Sequence, residues 1–239
     1  MEIRVVENYQ QMSRLAADFV EAQIAEKPDT VLGLPTGETP IGMYAALSED
    51  NQKNIVDFSK VKTYNLDEYY PISPENEHSY RYFMNEQLFH RVNIPMEATH
   101  VICGTGDADA NCADYEKSIE AAGGIDLQVL GIGRNGHIGF NEPNDVPDRP
   151  THKVTLTKST LEANARLFAS IDEVPTHALT MGIGTIMKAK KILMLISGKE
   201  KHEALHKLLS GKVDLACPAT AILRHPDVTI LCDRAAFDA

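Results

Sequence analysis

Positive charge is in short supply in this 239-residue chain: Lys and Arg number 23 against 34 Asp and Glu, a formal net charge of −11 at pH 7. Nucleic-acid binders and proteins that lie on anionic membranes display a basic face, so the balance speaks against both. It leaves room for an anionic small molecule, because a small pocket can be locally basic. Cysteine is scarce too. Cys103, Cys112, Cys217 and Cys232 form no Cys-x-x-Cys pair and match no zinc spacing, so they read as reduced, mostly buried thiols. Long apolar runs are missing, and Met1-Glu2-Ile3-Arg4 is charged from the start. The sequence therefore predicts neither a membrane span nor a secretory leader, and a cytoplasmic location. Ser/Gly linkers, charge blocks and internal repeats are also absent. What remains is an ordinary globular mixture, 43% hydrophobic and 24% charged. A chain of this length can bury a sizeable core without disulfides.

Apolar strand-like runs alternate with amphipathic stretches. Strands are expected at Met1–Val6, Thr30–Pro35, Lys62–Leu66, Thr99–Cys103, Asp126–Gly131, Lys153–Thr157, Ala178–Ile183, Lys191–Ile196, Ala219–Leu223 and Val228–Cys232. Helices are expected at Tyr9–Lys27, from about Ile41, and at Ser79–His90, Ala108–Ala122, Ser159–Ala169, Thr185–Lys190 and Lys199–Leu209. This rhythm predicts an α/β fold with an open, doubly wound, mainly parallel sheet and helices on both faces, Rossmann-like in layout. Residues 1–239 read as a single catalytic domain. The Asn141–Pro150 stretch, dense in Asn, Pro and Asp, reads equally as a linker or an active-site loop.

Open α/β sheets bind ligands beyond the carboxyl ends of their strands, so residues just after each strand carry the chemistry. Thr36-Gly37-Glu38-Thr39-Pro40 joins a strand to a helix and offers backbone N–H groups suited to an anion. It lacks the Gly-Lys-Ser/Thr ending of a Walker loop. Asp67-Glu68 follows another strand, where a carboxylate serves either as a general base or as a turn cap. Gly131-Ile132-Gly133-Arg134-Asn135-Gly136 fits the dinucleotide-binding glycine pattern literally. The Pro143 and Pro147 that follow deny it the required helix, and no ribose-holding acid lies about twenty residues on. The loop then carries His137 and Glu142, a titratable ring and a carboxylate able to orient it. Arg166, Lys199 and Lys201 supply positive charge, as surface cations or as anion ligands. His202 and His206 lie four apart on one helix but in no metal-binding motif.

Taken together, Gly33-Leu34-Pro35-Thr36-Gly37, Asn65-Leu66-Asp67-Glu68-Tyr69, Gly131 to Pro143 and Ala178 to Thr185 make the chain resemble the glucosamine-6-phosphate deaminase family (glucosamine/galactosamine-6-phosphate isomerases), which also takes in 6-phosphogluconolactonase. The Phe140-Asn141-Glu142-Pro143 ending is similar to the deaminases rather than the lactonases. The resemblance implies hydrolytic deamination with aldose–ketose isomerisation of a small sugar phosphate, with no metal and no organic cofactor. It assigns His137 to ring opening with Glu142 in support, and Asp67 to proton transfer between C2 and C1. It assigns Thr36, Gly37, Glu38, Thr39, Arg166 and Lys201 to the phosphate. Two departures stand out. Asn135 replaces an Asp familiar in the family, which leaves a hydrogen-bonding group without charge. Glu38 stands where many relatives carry Gly, and an inward carboxylate would weaken an anion site.

Larger bacterial relatives carry a basic pair and a C-terminal extension used in allosteric hexamers. His152-Lys153-Val154 lacks that pair and the chain stops soon after Asp233, so a non-allosteric monomer is expected. Two alternatives remain. One is a sugar-phosphate lactonase or isomerase on the same scaffold. The other is a sugar-phosphate sensing module, which would need a DNA-binding segment that the element pattern leaves no room for.

Overall fold

The structure is a computed structural model that describes residues 1–143, 148–157, 160–161, 168, 170 and 173–239. Among the described residues two sheets form. The larger has seven strands, all parallel, in the order β1 (Glu2–Val6), β10 (Val228–Asp233), β9 (Lys191–Ile196), β6 (Leu127–Leu130), β2 (Val31–Leu34), β3 (Lys62–Asn65), β5 (Thr99–His100). The predicted parallel α/β architecture is thus observed. The inner strands β2, β6 and β9 are buried on both sides because both faces are covered. Leu193 and Leu195 of β9 face one core with α1 (Tyr9–Glu26) and α2 (Ile41–Gln52). Ile192, Met194 and Ile196 face the other, with α4 (Ala108–Ala121) and α6 (His202–Leu209). The period-two alternation of a strand is what splits these residues between two cores.

The second sheet is small and antiparallel, in the order β4 (Asp67–Tyr70), β8 (His177–Thr180), β7 (His152–Thr155). Asp67 therefore opens a new strand. Leu66 is the pivot: its N–H donates to Leu34 O of the large sheet at 3.1 Å, and its carbonyl accepts from Met181 N at 2.7 Å beside the small one.

Other boundaries are corrected. The expected strand at Ala219–Leu223 is a 3-10 helix, Pro218–Arg224. Pro218 suits a helical first turn, and the Ala219 N–H is taken by Gly136 O at 2.8 Å rather than by a strand partner. The strand expected at Thr99–Cys103 ends at His100. The helix expected at Ser79–His90 is α3 (Tyr80–Gln87) followed by a 3-10 turn. The short helix expected at Thr185–Lys190 is one turn, α5 (Ile183–Ile186). The helix expected at Ser159–Ala169 falls largely outside the described residues.

The order of the large sheet reverses between β2 and β6. From β2 the chain winds outward through β3 and β5; from β6 it winds the other way through β9 and β10. A crevice opens at such a switch point beyond the strand ends. The loops that leave β2 and β6 there are residues 35–40 and 131–143.

Candidate active site

The turn after β2 is braced by two tyrosines. Tyr9 OH donates to Glu38 O at 3.1 Å and accepts the Gly42 N–H at 2.8 Å, and Tyr44 OH donates to Pro35 O at 2.5 Å. Pro40 precedes α2 without a capping side chain. The N–H groups of Gly37 and Thr39 meet no acceptor among the described residues. They stand at the start of a twelve-residue helix, where backbone donors and the helix dipole favour an anion.

The loop after β6 folds back on itself. Gly136 N–H donates to Gly133 O at 3.0 Å and Gly133 N–H to His137 O at 2.9 Å. The His137 ring lies directly over Gly133, where a Cβ would sit 2.2 to 2.4 Å from Cε1, Nδ1 and Nε2. Asn135 ties the loop together. Its Oδ1 accepts the His137 backbone N–H at 3.2 Å, and its Nδ2 donates to Glu142 Oε2 at 2.7 Å. The amide therefore orients the loop and the carboxylate rather than the imidazole. Glu142 Oε1 accepts from Thr160 Oγ1 at 2.7 Å. His137 Nδ1 is buried and unpartnered among the described residues, with Glu142 Oε2 3.8 Å away, beyond hydrogen-bond reach but close enough to act as a charge. Desolvation holds the imidazole below its ordinary pKa; Glu142 opposes that and the Lys201 ammonium adds to it.

Asp67 reaches this loop from the small sheet. It pairs with Thr180 across β4 and β8. Gly139, at φ +58°, lies against both: a Cβ there would be 3.3 Å from Asp67 Oδ2 and 2.8 Å from Thr180 Oγ1. The bare backbone lets the carboxylate come within two residues of His137. Thr180 Oγ1 accepts the Phe140 N–H at 3.1 Å, and Asn141 Nδ2 donates to Ile138 O and Met181 O at 2.7 and 2.8 Å. These bonds dock the loop onto β8. The Asp67 carboxylate has no hydrogen-bond partner among the described residues. Burial first, and then the Glu68 charge, pushes it up to about 8. Glu68 turns the other way. It accepts the N–H groups of Tyr69, Tyr80 and Arg81 at 2.8 to 2.9 Å, anchoring the start of α3, and burial raises it to about 7 despite those bonds.

Lys201 closes the site from the turn after β9. Asp233 holds that turn, accepting from Ser197 Oγ at 2.5 Å and from the Gly198 N–H at 3.1 Å. Burial lowers the Lys201 pKa; Glu200 and Glu38 oppose that, and Arg134 reinforces it. Lys201 is thus within electrostatic range of His137, Arg134 and Glu38. The structure thus sets Thr36, Gly37, Glu38 and Thr39 in one turn, with Lys201 within electrostatic range of Glu38, and brings Asp67 against the loop that carries Asn135, His137 and Glu142. Arg166 lies outside the described residues. Thr160, Thr180, Tyr9, Tyr44, Asp233 and Arg134 were not among the sequence candidates. Tyr9, Thr160, Thr180 and Asp233 act through partners 18 to 40 residues away in the chain, which no local motif encodes. Among the described residues no three His, Cys, Asp or Glu side chains converge to hold a metal ion, and no helix is long and apolar enough to cross a membrane.

Residues 6–231 match the family described as glucosamine-6-phosphate isomerases/6-phosphogluconolactonase. A glucosamine-6-phosphate deaminase of Thermoanaerobacter pseudethanolicus is 52% identical over 237 residues, 99% of this chain and 94% of that protein. One of Clostridioides difficile is 50% identical over 99% of this chain and 95% of its own length. The solved structure of a monomeric glucosamine-6-phosphate deaminase is 46% identical, with a TM-score of 0.96 over 99% of this chain and 98% of that one. The 6-phosphogluconolactonase of Thermotoga maritima, 22% identical with a TM-score of 0.76, shares the fold.

Proposed function

This chain belongs to the glucosamine-6-phosphate isomerase/6-phosphogluconolactonase family, and from that premise we propose that it converts D-glucosamine 6-phosphate and water to D-fructose 6-phosphate and ammonia. The observation that carries the reading is the approach of the Asp67 carboxylate to the His137 loop across Gly139. An aldose–ketose isomerase needs one base beside C2 and C1 and a second acid–base group at the ring oxygen and O1. Asp67 and His137 supply the two from different sheets.

The substrate phosphate takes the N–H groups of Gly37 and Thr39 in the Thr36–Thr39 turn and the Lys201 ammonium, with Arg166 as a further ligand. His137 takes the proton from O1 and returns one to O5, opening the ring. Glu142, held by Asn135 and Thr160, stabilises the imidazolium formed on the way. Asp67 then removes the C2 proton and delivers one to C1. The C2 imine adds water and expels ammonia, which balances the reaction without a redox step. We read the enzyme as a monomer acting in the cytoplasm.

Ammonia release from glucosamine 6-phosphate by the intact protein tests the activity. The Asp67→Asn variant should lose C2-proton exchange while keeping its phosphate affinity. Exchange at near the parent rate would remove Asp67 as the base. A folded parent that releases no ammonia would return the lactonase-type alternative.

A further inference from the structure

Among the described residues, one backbone bond reaches the Gly133–His137 turn from elsewhere in the chain: the Ala219 N–H donates to Gly136 O at 2.8 Å. Cys217 lies against the same glycine. A Cβ on Gly136 would meet Cys217 Sγ at 2.3 Å and the Cys217 Cα and Cβ at 3.2 Å. Gly136 stands at φ +85° as well, so a left-handed backbone and the wall of Cys217 both demand glycine there. The Ala219 donor is available because of how the 3-10 helix begins. Pro218 has no N–H and Cys217 before it makes no side-chain cap, so an early N–H of the helix is left for the loop. Thr220 fixes the turn from which this helix springs. Its buried Oγ1 accepts the Asp214 N–H at 2.8 Å and donates to Cys217 O at 2.7 Å, while the Cys217 N–H donates to Asp214 O at 2.9 Å. Asp214 to Thr220 is thereby a brace closed on itself. Pro218, Thr220 and Ala221 face Asn141 and Glu142 across a cavity. The brace therefore bears on the loop at its His137 end and stands off from its Glu142 end.

We propose that the Asp214–Thr220 brace is a positioning element for His137: Cys217 and the Ala219 N–H fix the Gly136–His137 peptide, and with it the imidazole, and the Thr220 hydroxyl keeps the two in register. The assignment rests on the reading of His137 as the ring-opening group. Cys217 and Thr220 are positioning residues, which act through Gly136 and not on the sugar. A loosened or displaced brace moves the ring out of its buried place. Burial is what chiefly holds the imidazole below its ordinary pKa, with Lys201 adding to that and Glu142 opposing it, so a displaced ring titrates higher.

The test uses the full chain and four variants. Cys217→Val pushes a methyl group against Gly136, and Thr220→Val removes the hydroxyl at nearly constant shape. Thr220→Ser restores that hydroxyl. Cys232→Ala is the control, since Cys232 is buried in the same core as Cys217 but away from the loop. The His137 midpoint is followed by NMR, ammonia release from glucosamine 6-phosphate by steady-state kinetics, and folding by thermal melts. Cys217→Val and Thr220→Val should lower kcat about tenfold with KM within about twofold of the parent, and should raise the His137 midpoint by about half a unit or more. Thr220→Ser should recover most of both. Cys232→Ala should lower Tm and leave kcat and the midpoint where they are. Where Thr220→Val does not fold, Cys217→Val decides. Folded variants with the parent kcat and midpoint overturn the proposal. So does a fall in kcat with the midpoint unmoved, or a control that shifts the midpoint equally. A parent that releases no ammonia would sink the deaminase reading, and the His137 midpoint would still judge the brace.

Discussion

Glu68→Gln is the substitution that separates the base from its neighbour. Asp67 stands at about 8 and Glu68 at about 7, each raised chiefly by burial. Their titrations are coupled, because the ionised Glu68 holds protons on Asp67. A base must be ionised to act, so the parent kcat/KM should climb with pH through the neutral range. It should not already be flat above pH 5, as it would be for an ordinary carboxylate. The variant removes the Glu68 charge. With a coupling of about one pK unit, ordinary for neighbouring carboxylates, the ionised fraction of Asp67 rises about twofold near pH 7 to 8. The gain vanishes at both extremes. At low pH Glu68 is neutral in the parent too, and at high pH Asp67 is ionised in both proteins. The expected ratio of variant to parent kcat/KM is therefore a hump centred near neutrality. Gln offers one oxygen where Glu offers two, so one of the N–H groups of Tyr69, Tyr80 and Arg81 loses its acceptor. That costs about 1–3 kcal/mol of stability and lowers Tm without altering the shape of the ratio. Ammonia release is followed from pH 5 to 10, with each protein normalised to its own alkaline plateau. Titration of the substrate amine and phosphate is common to both and cancels. A flat ratio, or a parent whose activity is complete by pH 5, would refute the claim that Asp67 is a buried base biased by Glu68.

Other perturbations probe the loop and the scaffold. Gly133→Ala places a methyl 2.2 to 2.4 Å from three His137 ring atoms, so the imidazole must leave its position; kcat should fall about tenfold or more, and a variant within twofold of the parent would show that the ring position is immaterial. Asn135→Asp puts a charge beside the loop of His137, and NMR titration should show the imidazole midpoint moving up; an unmoved midpoint would mean the two are not electrostatically linked. Asp126 is 3% exposed, accepts from Lys27 at 2.7 Å, Lys190 at 2.6 Å and the Val31 N–H at 2.8 Å, and stands at about 2 against 3.8 for a free carboxylate. A depressed acid contributes stability above its unfolded value and loses it as pH falls, so about 2 kcal/mol should disappear between about pH 4 and pH 2. Denaturant titrations of Asp126→Asn should lack that drop, and an equal drop in both proteins would place the acid lability elsewhere.

The parts of this molecule that could be read from sequence are those written in local composition. Continuous apolar strands separated by amphipathic stretches state a parallel sheet covered on both faces, and that sheet is present. The turn at Thr36–Thr39 and the loop at 131–143 announce themselves through small residues at strand ends, and the switch point between β2 and β6 sets them side by side. What could not be read is decided by single long-range hydrogen bonds. Lys62 to Tyr70 holds two strands, and the sequence announces only the first, expected at Lys62–Leu66. The peptide of Leu66 divides the two, because its N–H finds Leu34 O and its carbonyl finds Met181 N. Pro218–Arg224 has strand-like residues, but Gly136 O claims the Ala219 N–H and leaves it helical. The direction of the Asn135 amide follows from Glu142, seven residues on. The hydroxyls of Thr160 and Thr180 matter only because of the partners that folding brings to them.

That division at Leu66 also sets the surroundings of Asp67 apart from those of His137. Had β3 continued straight, Asp67 would lie at the open carboxyl edge of the large sheet, solvated like any surface acid. By passing into the small sheet, the chain turns the carboxylate inward against Thr180 and Gly139, beside the cluster of Tyr69 and Phe140. Water is removed and no donor replaces it, so the acid is raised. The His137 loop stays at the edge of the large sheet, where Asn135, Thr160 and Glu142 surround it with polar atoms. Burial pushes both groups toward their neutral forms, but Glu68 reinforces that push at Asp67 whereas Glu142 opposes it at His137, across a glycine backbone. A reaction that moves protons at a carbon and at an oxygen of one sugar needs that asymmetry, because the two protons differ greatly in acidity.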